Sequence, residues 1–248
     1  MNATFDSSNE PMSLRSMLLE DVAQLSTSDA EVDGRLITIR AADTEGHRSS
    51  AHILLNRMYA GRGYSSVAMP DAEDGNRLTL IGQDHDVTLG TITIGFDGSG
   101  GLLADECFHD CVSTLRSEGL VLCEFVKLAI DDNTHSKRVL ASLFHTAFIY
   151  AHEIRGCDRI VIEVNPRHVR FYRTMLGFSV LAGERLNCRV NAPAVLLALD
   201  LADAAARIGH VNATKNSHAA AERSMYRYAF SSDELSGIVS RLKRRDER

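Results

Sequence analysis

The chain has 248 residues, 44% of them hydrophobic, enough for one large domain or for one domain with extensions. The formal charge of −6 lies wholly in residues 1–34, where seven acids (Asp6, Glu10, Glu20, Asp21, Asp29, Glu31, Asp33) accompany one base (Arg15). The remainder is close to neutral and offers no broad basic surface for nucleic acid. Five cysteines are an odd number, no basic-then-apolar leader opens the chain, and no long uncharged apolar run occurs. Reduced thiols, a cytoplasmic setting and no membrane span are therefore expected.

Residues 1–34 read as an acidic segment with little structure of its own. Arg35 to Arg40 alternates as a strand, and His47 to Tyr64 reads as a helix with Ile53, Leu54 and Met58 inward. Leu78 to Gln83 and Val87 to Phe96 are strands joined by a tight Asp84-His85-Asp86 connection. A glycine-rich turn at 97–101 leads into a helix from Ala104 to Ser117.

The central unit runs from 120 to 178. An apolar strand, Leu120 to Ile130, is followed by a helix starting near Asn133-Thr134 and stopping at Gly156. That helix carries Leu140, Leu143, Phe144, Ala147, Phe148 and Ala151 on one face. A second strand, Ile160 to Val164, runs into a helix opening at Asn165-Pro166. Two parallel strands joined by a helix make a right-handed crossover, with ligands expected off the strands' carboxyl ends. Strands at Ser179 to Glu184 and Ala194 to Leu199 follow, with Pro193 in the connection between them. Helical pieces from Ala202 to Ile208 and from Ala219 to Lys243 complete the chain, the last with a basic cluster at its end (Arg241, Lys243, Arg244, Arg245). The resulting division is 1–34, 35–201 and 202–248.

Strand, helix, two strands, helix, strand, helix, strand, helix and two strands is the order of the GNAT acyltransferase fold, an α/β fold with a mixed sheet of about seven strands flanked by helices. Within it, CEFVKLAIDD (residues 123–132) and VNPRHVRFYRTMLGF (residues 164–178) resemble the N-acyl amino acid synthases of the FeeM type, themselves similar to acyl-homoserine lactone synthases. The resemblance covers roughly residues 35–201 and implies an acyltransferase that forms N-acyl amino acids, a class of lipid.

GNAT enzymes hold the pyrophosphate of coenzyme A on a glycine-rich loop and helix N-terminus. The corresponding stretch here, Asn133 to Leu140, has no glycine. A single phosphodiester, as on the phosphopantetheine of acyl carrier protein, needs only a helix N-terminus and one or two cations. His135, Lys137 and Arg138 are candidates for that role. Cations at a helix start are otherwise mildly unfavourable, which gives a bound anion as their reason; the alternative is a solvated first turn.

Glu124 is the first candidate for a base or amine-positioning group, because a carboxylate inside so apolar a strand requires a partner. Lys127 is a candidate catalytic group or else a partner in an ion pair. In a regular strand it and Glu124 would face opposite sides unless a bulge intervenes. The resemblance implies that backbone N–H groups near Leu128 and Ala129 hold the thioester oxygen as it gains charge. It also implies that Tyr172, seven residues after Asn165, protonates the departing thiolate. Asn165 before Pro166 is equally an ordinary helix cap. Arg57 with Tyr59 matches an Arg-x-aromatic pattern of the synthase families, and Arg57 or Arg62 suits the clamping of an amino acid carboxylate. Phe125, Phe148 and Phe171 are expected to border the acyl chain. Cys107-x-His109-x-Cys111 lacks the further ligand pair a closed zinc site needs, so no metal is expected.

The expected reaction is transfer of a long-chain acyl group from acyl carrier protein thioester to the amine of an amino acid. It calls for no tightly bound cofactor, only acyl carrier protein (or acyl-coenzyme A) as donor, with peripheral membrane contact only through the lipid product. A coenzyme A-dependent N-acetyltransferase, a non-catalytic module binding acyl chains or carrier protein, and a homoserine lactone synthase are the alternatives.

Overall fold

The computed structural model describes residues 37–61, 63, 68–69, 75–131, 137–214, 224–231, 235–236 and 239. The acidic segment 1–34, the Asn133-Thr134 cap, His135, Arg62 and the basic cluster at 241–245 lie outside the described residues.

One seven-stranded mixed sheet organises the chain. Its strands are β1 (Ile37–Ala41), β2 (Arg77–Asp84), β3 (Val87–Phe96), β4 (Leu122–Ile130), β5 (Arg159–Val164), β6 (Ser179–Asn187) and β7 (Ala192–Asp200), in the spatial order β1-β2-β3-β4-β5-β7-β6. Only β4 and β5 pair in parallel; every other neighbouring pair is antiparallel. The helices are α1 (Glu45–Ala60), α2 (Asp105–Ser117), α3 (Lys137–Phe148), α4 (Val169–Leu176) and α5 (Leu201–Thr214).

Alternation along the strands sends side chains to two cores. On one face Phe108, Val112 and Leu115 of α2 pack on Leu122, Val161 and Leu196, while Leu54, Leu55 and Met58 of α1 pack on Ala129. On the other, α3, α4 and α5 cover Leu80, Ile92, Cys123, Phe125, Ile160 and Leu197. Thr44 caps α1, its hydroxyl accepting from the His47 N–H at 3.2 Å. Gly177 closes α4 in the left-handed region (φ 78), and an added Cβ there would lie 2.6 Å from the Arg207 guanidinium.

Four sequence expectations need correction. Ile53, expected inward on α1, is 64% exposed, and the buried face is formed by Ala51, Leu54, Leu55 and Met58. The helix after β4 does not stay α-helical to Gly156: Ile149–Ile154 widen into a π-turn, with Arg155 N–H donating to Tyr150 O at 3.0 Å. Pro193 lies inside β7 rather than in the connection, at the start of the strand, where a missing N–H costs least. The pattern from Ala219 to Lys243 is not one helix. Met225–Tyr228 form a 3₁₀ turn, and Ala229 is extended. Tertiary contacts override local preference here. The Tyr226 hydroxyl donates to Leu176 O at 2.5 Å, and Phe230 stacks on His145 with ring centroids 4.6 Å apart. Met225, Tyr226, Ala229 and Phe230 are thereby part of the main core.

Candidate active site

β4 and β5 pair only at Leu122↔Arg159, Cys123↔Ile160 and Glu124↔Val161. Beyond Glu124 they splay, and the gap between them opens into a cleft of about 910 Å³. Phe125, Leu128, Leu140, Phe144, Ile162 and Phe171 give it an apolar side. Lys127, Glu163, Asn165, Arg167, Asn187 and Arg189 give it a polar one.

The strand β4 carries a bulge at the mouth of this cleft. Its register with β3 passes from Thr93↔Val126 to Thr91↔Ala129, so β4 contributes one extra residue. Lys127 takes up that residue at φ 53, a conformation costing a non-glycine about 1 kcal/mol or more. The bulge overturns the alternation of a regular strand, which would place Lys127 on the opposite face from Glu124. Lys127 turns into the cleft, its Nζ donating to Ala68 O at 2.6 Å. Burial first, then the neighbouring Arg77, lower its pKa to about 8, against the opposing pull of Glu124.

Glu124 itself is 1% exposed and lies outside the cleft lining. Its Oε1 accepts from Leu103 N–H at 2.9 Å and from Arg77 Nη1 at 3.2 Å, and its Oε2 from Ala104 N–H at 3.1 Å. Gly95 on β3 makes room for it, since an added Cβ would stand 2.8 Å from Oε1. Burial holds this carboxyl above the usual glutamate range, opposed by those donors. Glu124 therefore anchors the entry of α2, which Arg116 also holds through bonds to Asp97 at 2.6 Å and Asp105 at 2.7 Å.

Leu128, Ala129, Asn165, Tyr59 and Tyr172 all line the cleft. Asn165 Oδ1 accepts from Arg167 N–H at 3.2 Å, so the side chain also acts as a cap. The Tyr172 ring meets Phe144, Phe171 and Phe178 edge-on, with centroids 6.2, 5.5 and 5.8 Å away. Burial, and then Tyr59, hold its hydroxyl above the ordinary tyrosine value, so it remains a proton donor at neutral pH. Arg57 does not line the cleft; it pairs with Asp131 at 2.7 Å, and Asp131 does. Lys137 and Arg138 stand in the first turn of α3, which holds no acid. Of the phenylalanines expected along the acyl chain, Phe125 and Phe171 line the cleft. Phe148 instead lines an apolar cavity of about 40 Å³ behind Phe125 and Phe144, closed by Met225, Tyr226 and Ala229.

Sequence reasoning did not single out Glu163, Asn187 or Arg189. Glu163 lies in RIVIEV, as apolar a strand as the one that drew attention to Glu124, so the same signal was present. Asn187 and Arg189 gave none, because the end of β6 and the turn after it reach the cleft only through tertiary pairing. Among the described residues no three His, Cys, Asp or Glu side chains converge as a metal site. No helix among them is long and apolar enough to cross a membrane.

The family profile of the N-acyl amino acid synthase FeeM matches residues 50–200, more than half of the chain. The chain belongs to the FeeM family. Among solved structures it is similar to FeeM, an N-acyl amino acid synthase from uncultured soil microbes. That match has 28% identity and a TM-score of 0.63, over 70% of this chain and 94% of that one. Two further matches have lower scores. The spermidine N-acetyltransferase from Vibrio cholerae in complex with CoA and spermine has 14% identity and a TM-score of 0.48, over 68% of this chain and 98% of that one. Escherichia coli ElaA has 9% identity and a TM-score of 0.46, over 66% and 99%. No curated protein matches the chain. This FeeM-family member has the GNAT acyltransferase fold and is an N-acyltransferase.

Proposed function

We propose that the protein moves a long-chain acyl group from the phosphopantetheine thioester of acyl carrier protein to the amine of an amino acid. The observation that carries this reading is the two-sided cleft. One wall is aromatic and aliphatic, suited to an acyl chain, and the other bears a lysine, two arginines, two asparagines and a partly buried glutamate, suited to a small zwitterion.

The thioester carbonyl lies against the bulge, where backbone N–H groups at Leu128 and Ala129 receive the developing oxyanion. Lys127, as an ammonium, adds positive charge there. Tyr172 delivers a proton to the departing thiolate, and Asn165 orients the pantetheine arm. Lys137 and Arg138, with His135 beside them in sequence, hold the single phosphodiester; the absence of glycine from 133–140 argues against a pyrophosphate cradle. Arg57 and Tyr59, with Arg62 following them in sequence, serve the acceptor, and opening of the Arg57–Asp131 pair would release a guanidinium for the acceptor carboxylate. Glu124 contributes by position, fixing Leu103 and Ala104 beside the cleft. Aminolysis of a thioester needs no electron transfer, and carrier protein as donor places the reaction in the cytoplasm.

Mass spectrometry of lipid extracts from a host overexpressing the protein tests this reading. New N-acyl amino acids with long acyl chains are expected. An extract without them, from cells containing folded protein, would refute it.

A further inference from the structure

The amine of an amino acid arrives as an ammonium ion and must lose a proton before its nitrogen can attack. Glu124 is poorly placed to take that proton: it is 1% exposed, lies outside the cleft lining, and three protein donors already occupy its oxygens. Glu163 differs in position, though its side chain too is only 7% exposed. It lines the cleft at the end of β5, beyond the last residue paired with β4. Asn187 Nδ2 donates to its Oε1 at 3.1 Å, and Arg189 Nη2 donates to its Oε2. The Cys107 thiol also lies against it, and since an ionised carboxylate has about four acceptor positions, these three donors leave one facing the cleft for a ligand.

The support behind Glu163 is continuous with that of Glu124. Arg189 Nη1 donates to Leu103 O at 2.7 Å and also contacts Glu106 Oε2 at 2.9 Å, while the Leu103 N–H donates to Glu124. One residue, Leu103, thus ties the two carboxylates together just before α2 through its N–H and its carbonyl. We infer that Glu163 is the base that takes the proton from the acceptor amine, with Asn187 and Arg189 as its positioning residues. This rests on the acyl-transfer reading of the cleft.

The protons balance without a further co-reactant. Glu163 removes one proton from the ammonium and passes it through the open cleft to solvent. The nitrogen lone pair attacks the thioester carbon, and the C–N bond forms as the carbonyl π pair moves to oxygen. The C–S bond then breaks as that pair returns, and the second amine proton ends on sulfur through Tyr172. The products are an amide and the free pantetheine thiol.

Electrostatics agree with this geometry. Burial, and the like charge of Glu124, push the Glu163 carboxyl above the usual glutamate range, against the opposing Arg189 guanidinium and Cys107 thiol. A carboxylate raised in this way is a better proton acceptor. The remaining charged or titratable groups of the cleft are Lys127, Asp131, Arg167 and His168, with Tyr59 and Tyr172.

The test is kcat/KM against pH for the full chain, with a long-chain acyl-carrier thioester and the amino acid found in the lipid extracts. It compares the wild type, Glu163→Gln and Glu163→Asp. Glu163→Gln is expected to lose about 10²–10⁴-fold at neutral pH, the usual range for a general base, and to lose the acidic limb of the profile. Glu163→Asp keeps part of the rate and an acidic limb whose midpoint is shifted from that of the wild type. With an amino acid amide, whose amine is more acidic, the gap between wild type and Glu163→Gln narrows at least tenfold. Activity of Glu163→Gln within threefold of wild type would overturn the assignment. So would a loss that leaves the limb intact, in the Gln variant or, if that fails to fold, an unshifted limb in the Asp variant. A wild type inactive with every thioester removes the acyl-transfer reading and this base with it, whereas an active wild type with an unimpaired variant removes the base alone.

Discussion

Replacing Glu124 with Gln changes one atom of a buried carboxylate that accepts from Arg77, Leu103 and Ala104. The least damaging placement keeps the amide oxygen toward Leu103 and Arg77 and turns the amide nitrogen to Ala104 N–H, so donor faces donor. One charge-assisted bond, typically about 1.5–3 kcal/mol, is lost, and two others weaken to neutral strength. Relief from burying a charge offsets part of this, and Arg77, with 18% of its side chain exposed, can turn toward water. The net loss is roughly 2–3 kcal/mol, or about 5–10 °C in Tm for a chain of this size. Urea unfolding followed by far-UV circular dichroism at pH 7 measures it, with an unchanged m value as the control. A loss below about 1 kcal/mol would refute the anchoring role on the scale used here. So would a variant as stable as wild type that lacks the acidic limb of kcat/KM, because that result would make Glu124 the base.

Further consequences concern the rest of the site. Lys127 loses its proton as the pH rises through about 8, so a step that uses its ammonium falls off above that pH. Lys127→Arg, which stays charged, is expected to remove that alkaline limb, and an unchanged limb would assign it to another group. Tyr172→Phe should lower turnover about 10²-fold or more with little change in acceptor KM, as deletion of a general acid does; pre-steady-state thiol release measures this. Gly95→Ala places a methyl 2.8 Å from Glu124 Oε1 and 2.9 Å from its Cγ, and should cost about 1–3 kcal/mol in urea unfolding. Lys137→Ala with Arg138→Ala should raise KM for the carrier-protein donor, with a weaker dependence on salt, while leaving KM for a free acyl-pantetheine unchanged.

Much of the architecture was legible because it rests on local patterns. Apolar runs bounded by turn residues gave the strands, and the stripe from Leu140 to Phe148 gave α3. The bulge was not legible, because Glu-Phe-Val-Lys-Leu contains neither glycine nor proline. The positive φ at Lys127 comes from its pairing with β3, and no local signal marks it. For Glu124 the need for a partner was readable, but the partners were not, since Arg77 lies 47 residues away and Leu103 and Ala104 lie at 21 and 20. The segment around Phe230 read as a helix by periodicity, yet its Phe230 N–H donates to His145 Nδ1 at 2.8 Å, a contact 85 residues away in the chain. Long-range pairing of this kind also brings Asn187 and Arg189 to Glu163.

The central claim is that a carrier-protein thioester donates the acyl group to an amino acid. Its most direct measurement is steady-state amide formation by the purified protein with one amino acid, comparing matched long-chain acyl-carrier protein and acyl-coenzyme A. The account predicts kcat/KM at least tenfold higher with the carrier protein. Equal or faster reaction with coenzyme A, or faster transfer of acetyl than of a long chain, would contradict it.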